Sequence, residues 1–387
     1  MLLTIVTFLI ILGLIVLVHE LGHFLTARFF GVKVEEFGFG FPPRLVGFYK
    51  NKEGRKKIVW GNKFKAETAP TTVYSLNQLP IGGFVKIKGE DGIGAEEADS
   101  FAAKRSWKKG IILAAGVLGN FILCFVLFTF GFIVGLPTII DDEALRNVRN
   151  IRENQIQIIS VNAGSPAELA GLKIGDAIIA LDGQTLTEIA AIQTYTAQKE
   201  SQLVEIKIER GGKKMDLKVV PKILATSENK AVMGVGLART AIVAYRWYEA
   251  IWQGLKNTGL MAYSIVLALI LLVKNIILTG QVSADLAGPV GMAVLTGQVT
   301  QLGWIYVLQF TALLSLNLGI INILPIPALD GGRLLFVLIE RIRGKKINQK
   351  IENTIHSIGF AFLMILVLLV TYRDIVRWGG QIIDKII

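Results

Sequence analysis

The stretch LLTIVTFLIILGLIVLVHELGHFLTARFF, residues 2–30, is apolar along a full bilayer crossing and carries two imidazoles and a carboxylate within the same run. A helix needs about 20 apolar residues to cross hydrocarbon, so residues 1–30 read as a first transmembrane helix. On that helix, positions four apart share a face, and His19 and His23 can aim at one metal ion. Glu20, turned by about 100° from His19, can take a proton from a water on that ion without being a ligand. With 3 His among 387 residues and 19 Glu, a chance match to this spacing is roughly a one-in-a-thousand event. Ionisable groups inside a membrane span are also costly, and by default mark function. The bland alternative is a pair of hydrogen-bonded core histidines. A cleaved signal peptide fits poorly: no basic segment precedes the apolar run, no small-residue cleavage site follows it, and the run continues into the motif.

Working outward, the composition agrees with a membrane protein that carries some soluble mass. Hydrophobic residues make up 52% and charged residues 18%, against about 25% charged in soluble domains. The net charge of +11 does not point to nucleic acid, because the basic residues collect beside apolar runs instead of forming one stripe. The single Cys124 excludes an intrachain disulfide and a cysteine-based zinc cluster. Further spans are expected at 110–137, 303–332 and 355–372, making about four transmembrane helices. Lys and Arg crowd 31–109 and 328–354, which makes those loops cytoplasmic, while 150–240 is balanced in sign and external. A fifth apolar run lies within 247–280. If it crossed, the segment ending near residue 330 would face outside, away from His19 and His23. Residues 247–280 are therefore expected along the interface, anchored by Trp247, Tyr248, Trp252, Lys256 and Lys274.

Catalytic zinc takes three protein ligands and keeps one position for water. His356 begins the last span and is expected at the cytoplasmic boundary. Asp330 is the better third ligand, because it ends Asn322-Ile-Leu-Pro-Ile-Pro-Ala-Leu-Asp330-Gly331-Gly332, whose prolines and glycines forbid a regular helix. Broken backbone at membrane depth survives only under protein cover or beside water, and an acid there needs a partner. The alternative is that Asp330 merely caps a helix starting at Gly331.

These two motifs, in this order and on two apolar segments, resemble the site-2 protease family of intramembrane zinc metalloproteases, nearest the bacterial regulator of sigma-E protease branch. The likeness extends over nearly the whole chain. Phe37-Gly38-Phe39-Gly40 and Leu79-Pro80-Ile81-Gly82-Gly83-Phe84-Val85-Lys86 resemble that branch's cytoplasmic loop, 31–109, with its membrane-reentrant β-hairpin. Leu286-Ala287-Gly288-Pro289-Val290-Gly291 and the segment Ser315 to Asn322 resemble its approach to the third helix. The resemblance implies Zn2+ held by His19, His23 and Asp330, Glu20 as catalytic base, and Asn322 as a contact for extended substrate. It also implies single-span membrane substrates, such as anti-sigma factors or remnant signal peptides, and a plasma (inner) membrane location with the site near the cytoplasmic face. One departure is visible: Ala115-Gly116-Val117 stands where the family usually has Ala-Gly-Pro, before Asn120.

A span must be unwound before it is cut, and its freed amides then need partners. Gly83 to Lys88 alternates as a strand, so Gly83, Phe84, Val85 and Lys86 are expected to clamp extended substrate by strand addition. The alternative is an ordinary hairpin. Residues 150–240 read as short strands with one helix, from Ser165-Pro166 to Gly171. A strand follows from Leu172 to an Asp182-Gly183 turn, then a hairpin closes at Gly211-Gly212, with Val235-Gly236-Leu237 as a last strand. The run from Gly164 to Asp176 resembles PDZ domains of the circularly permuted bacterial type. Such a domain could bind chain ends or exclude bulky ectodomains. The expected architecture is thus a multi-pass α-helical membrane protein with one inserted PDZ-like α+β domain and a membrane-reentrant β-hairpin. Two other classes stay open: a water-facing membrane-anchored zincin with a Glu third ligand, for which no suitable polar helix appears, and a non-catalytic adaptor, for which Glu20 would be superfluous.

Overall fold

The structure, a computed structural model, describes residues 2–92, 94–139, 151–162, 164–223, 230–280, 288–345 and 347–383. One unit comprises Met1–Leu127, Leu255–Gly297 and Thr311–Ile387; the other comprises Phe128–Gly254 and Gln298–Phe310.

α1 (Leu2–Phe29) is followed by β1 (Val34–Lys50), β2 (Lys56–Trp60), β3 (Val73–Ile87) and then α2 (Ser106–Val134). The sheet order is β2-β1-β3, but β1 and β3 each serve as two strands. Phe37 opposes both Val85 and Tyr74, while Phe48 opposes both Ile58 and Tyr74. Five antiparallel rows result, in the order 56–60, 44–50, 73–79, 34–41 and 83–87. The expected hairpin is therefore larger than a hairpin, and Gly83 to Ile87 is its outermost strand. Phe24, Val34, Ile87, Phe101 and Ile112 share one core that locks the sheet to α1 and α2. The two helices meet backbone to backbone, since a Cβ on Gly22 would strike Ala115 and one on Gly119 would strike the Val18 carbonyl. Small residues allow this approach. α2 runs unbroken through Val117, so the missing proline leaves its helix regular.

In the other unit, β4 (Leu136–Ile139), β5 (Ile151–Val161), β6 (Ala177–Leu181), β7 (Val204–Arg210), β8 (Lys213–Val219) and β11 (Val235–Val243) form one antiparallel sheet, ordered β4-β11-β5-β6-β7-β8. The short β9 (Lys222–Ile223) and β10 (Ala231–Val232) pair separately. Ser165 caps α3 (Pro166–Leu169), accepting from Glu168 N–H at 3.3 Å. The strand expected from Leu172 begins only at Ala177, because Asp176 instead bonds Lys173 N–H at 2.8 Å and the Arg210 guanidinium at 2.6 Å. A second helix, α4 (Ile189–Gln198), closes the core through Ile192. One helix was the expectation; the signal for α4 is short, with only Ile189, Ile192 and Tyr195 at a spacing of three against the core.

α5 (Trp247–Thr279) precedes α6 (Pro289–Leu302); Leu286 and Ala287 of the quoted motif lie outside the described residues. α7 (Trp304–Ile323), α8 (Asp330–Arg343) and α9 (Gln349–Ile383) complete the chain. The segment 303–332 is thus not one helix: it stops at Ile323 and resumes at Asp330. The last helix starts at Gln349, ahead of the expected Ile355. Among the described residues five helices are long and apolar enough to cross a membrane: α1, α2, α5, α7 and Gln349–Val376 within α9. α5, expected along the interface, is one of them at 33 residues.

Candidate active site

His19 and His23 stand one turn apart on α1, both buried, with Nε2 atoms 3.2 Å apart. Asp330, the first residue of α8, brings Oδ2 to 2.9 Å from His19 Nε2 and 3.3 Å from His23 Nε2. Tetrahedral zinc, with bonds of about 2.0–2.1 Å, separates its donors by about 3.3 Å. The triangle has those edges. His23 Nδ1–H donates to the Ile112 carbonyl at 2.8 Å, which leaves a lone pair on Nε2. Asp330 Oδ2 is buried and receives no hydrogen bond. Acceptors that face one another without a proton between them call for a cation. Glu20 and Asp330 bring two carboxyl groups beside these imidazoles, a setting that suits a dication. The donor set fits zinc.

Asp330 reaches this point because the chain folds back sharply between Leu324 and Leu329. A Cβ on Gly331 would strike the carbonyl oxygens of Ile323 and Leu324, one on Gly332 that of Ile326, and one on Gly359 of α9 would strike Pro327. Ala328 sits at φ +76°, and its N–H donates to His356 Nδ1 at 2.9 Å. His356 therefore holds the loop that carries the aspartate. The capping alternative for Asp330 fails on geometry: Leu329 is the cap residue, and no side chain caps the helix.

Glu20 Oε2 accepts from Val85 N–H at 3.1 Å. In the outermost strand, Lys88 N–H bonds inward to the Lys33 carbonyl, so the odd residues Gly83, Val85 and Ile87 turn their backbone groups outward. Phe84 packs on Gly38, and the Lys86 ammonium is held by Glu35, at 3.2 Å, and Glu67. Of the expected clamp residues, only Val85 touches the catalytic group. Asn322 Nδ2 lies 3.4 Å from His19 Nε2.

Asn120 of α2 is fully buried, and its amide nitrogen lies 3.2 Å from His19 Nδ1. Its Oδ1 has no partner; with the amide turned over, that oxygen accepts from Nδ1–H and leaves Nε2 as the donor atom. Ser315 Oγ–H donates to the Asn120 carbonyl at 3.0 Å, tying α7 to α2. The Ile112 carbonyl, Asn120 and His356 were not singled out as site groups by sequence reasoning. A backbone carbonyl carries no sequence signal, but a polar residue within an apolar span, as at Asn120, does.

Residues 7–366 match the profile of peptidase family M50. The chain belongs to peptidase family M50. It is 31% identical to the zinc metalloprotease RasP of Geobacillus kaustophilus, over 97% of this chain and 98% of the relative. It is 30% identical to the regulator of sigma-W protease RasP of Bacillus subtilis, again over 97% and 98%. A segment covering 23% of the chain is similar to 92% of the PDZ domain of an SdrC-like protein from Listeria monocytogenes, at 20% identity and TM-score 0.21. This M50 chain is a zinc metalloprotease and an integral membrane protein.

Proposed function

We propose that this M50 protease cuts the transmembrane segments of single-span membrane proteins. The observation that carries the reading is that Glu20, beside the His19–His23–Asp330 triangle, is bonded to the outward edge of a β-strand. His19, His23 and Asp330 would hold zinc, which would supply the Lewis acidity needed to acidify a water and polarise the scissile carbonyl. Glu20 takes the water's proton on a carboxylate oxygen and delivers it to the leaving amine. Ile112 and Asn120 keep both imidazoles in the ligating tautomer. An unwound span pairs with the outward N–H and C=O of Gly83 and the C=O of Val85, whose N–H is held by Glu20, which spares its amides the cost of lying bare in hydrocarbon. Asn322 donates its amide N–H to a substrate carbonyl. The basic loops at 31–109 and 328–354 support a site near the cytoplasmic face of the plasma (inner) membrane.

Substrates of the anti-sigma-factor or remnant-signal-peptide kind fit this chemistry. In the external, PDZ-like unit, a cleft of about 690 Å³ between α4 and residues 230–237 can take an extended chain. The test offers the purified protein a single-span reporter and an unstructured soluble chain such as casein. Cutting within the reporter's span is expected; free cutting of casein would favour a water-facing zincin.

Two variants probe the parts. Proline at Val85 removes the N–H that Glu20 holds without breaking a ladder bond or touching a ligand, so zinc content should hold. Cleavage should fall about 10- to 100-fold, the worth of about 1–3 kcal/mol for a lost buried hydrogen bond. Unchanged cleavage would show that the Val85 contact does not orient Glu20. Asn120→Leu should weaken zinc binding about 10–100-fold, as for other lost outer-shell partners. Chelator competition measures it, and an unaltered zinc affinity would remove Asn120 from the site.

A further inference from the structure

The reentrant sheet has a second face, which the cutting reaction does not use. Directly opposed residues share a face, so Val46, Phe48 and Lys50 of β1 stand with Trp60, Ile58 and Lys56 of β2 and with Leu76 and Tyr74 of β3. The reverse face is covered by its own small core of Ala66, Ala69 and Val73. The first face is bare: Ile58 is 64% and Trp60 72% exposed. Between it and α1 runs a groove of about 640 Å³, lined by Leu17, Phe39, Val46, Phe48 and Ile58, with Lys56 at its end.

The groove has an apolar end and a cationic end. Phe39 lies against Gly13, well inside α1. Lys50 and Lys56 oppose each other at the far end, next to Lys52 and Arg55 in the intervening turn. Among the described residues neither Lys50 nor Lys56 meets a carboxylate in an ion pair. From Arg44 to Lys50 the strand rises about 20 Å, somewhat more than half of a hydrocarbon core about 30 Å thick. Set in a bilayer with Lys50 and Lys56 at the headgroups, a groove of that length covers about one leaflet.

The floor distinguishes possible occupants. Strand 44–50 is paired on both sides, by 56–60 and 73–79, and 73–79 is paired by 44–50 and 34–41. Their backbone groups are used up. An unwound peptide laid there would leave its own amides unpaired in an apolar setting, whereas hydrocarbon chains ask for no partners.

We propose that this groove binds one anionic phospholipid, with its acyl chains along Phe39, Phe48 and Ile58 and its phosphate on Lys50 and Lys56. The lipid acts as a wedge that holds the sheet beside α1. The site is separate from the outermost strand, Gly83 to Ile87, and the proposal does not depend on what the enzyme cuts.

The experiment is native mass spectrometry of the full-length zinc-loaded protein, titrated with phosphatidylglycerol or phosphatidylcholine. Phosphatidylglycerol should be retained, and phosphatidylcholine should not. The double variant Lys50→Glu/Lys56→Glu should bind phosphatidylglycerol about tenfold or more weaker, having lost two cations near the headgroup. Lys213→Glu/Lys214→Glu, the same charge change on the other unit, should bind as the parent does. Both variants alter exposed side chains, and retained zinc content reports their folding. Equal retention of the two lipids, or unchanged binding by the groove variant, overturns the proposal. So does displacement of bound phosphatidylglycerol by the single-span reporter, which would make the groove a seat for substrate.

Discussion

Glu20→Gln should keep zinc at full occupancy and lower cleavage of a single-span reporter by about 10²- to 10⁴-fold, the range for a positioned general base. The amide is isosteric with the carboxylate. Its oxygen can still accept from Val85 N–H, so the contact at 3.1 Å has no reason to break. Glu20 is not in the His19–His23–Asp330 ligand group, so metal affinity should survive. The variant loses one thing, a group able to take a proton. Elemental analysis of the purified variant gives the zinc count, and reporter cleavage gives the rate. Retained activity with retained zinc would show that another group is the base. Loss of zinc would place Glu20 among the ligands. An adaptor would show no metal-dependent cleavage in either form.

How far the site was legible depends on the distance over which each contact acts. His19, Glu20 and His23 lie within one turn and a half of a single helix, so spacing alone brings two imidazoles to one face. Asp330 required more. Its prolines and glycines forbid a regular helix there, but they do not show that the chain folds back so tightly that Gly331 meets the Ile323 carbonyl. The resemblance to a known family supplied that link. Asn120 and the Ile112 carbonyl touch the imidazoles only because Gly22 and Gly116 let α1 and α2 approach at backbone distance. That is a property of packing, and no local pattern announces it. His356 was read as a boundary residue, yet it accepts from Ala328 N–H and steadies the aspartate's loop.

The sheet shows a similar limit. Alternation over Gly83 to Lys88 marked one strand correctly but could not reveal its neighbours. β1 and β3 each fold over and pair on both sides, and that arrangement rests on a close approach of Gly40 to the Leu79 carbonyl. In the unit that holds the six-stranded sheet, Asp176 was expected within a strand. Burial beside Arg210 turned it into a local anchor and delayed the strand to Ala177. Short polar-to-backbone bonds of this kind compete with strand pairing.

Gly331→Val should abolish zinc retention as completely as Asp330→Ala, although it leaves every ligand in place. In Asp330→Ala the triangle loses an edge, and the two imidazoles keep only part of the coordination sphere. Zinc affinity should fall by well over about 100-fold, the upper end for outer-shell losses. In Gly331→Val the added atoms must enter space held by the Ile323 and Leu324 carbonyls, which are backbone and cannot rotate away. The start of α8 has to shift, and a displacement on the order of 1 Å takes Asp330 outside the about ±0.2 Å tolerance of a metal bond. Gly344→Val is the control: it sits at the other end of α8 in open space, at φ +66°, so it strains the helix end without touching the loop. Zinc content across the three variants decides the point. A zinc-replete Gly331→Val protein would mean that the 324–329 turn does not set the aspartate's position.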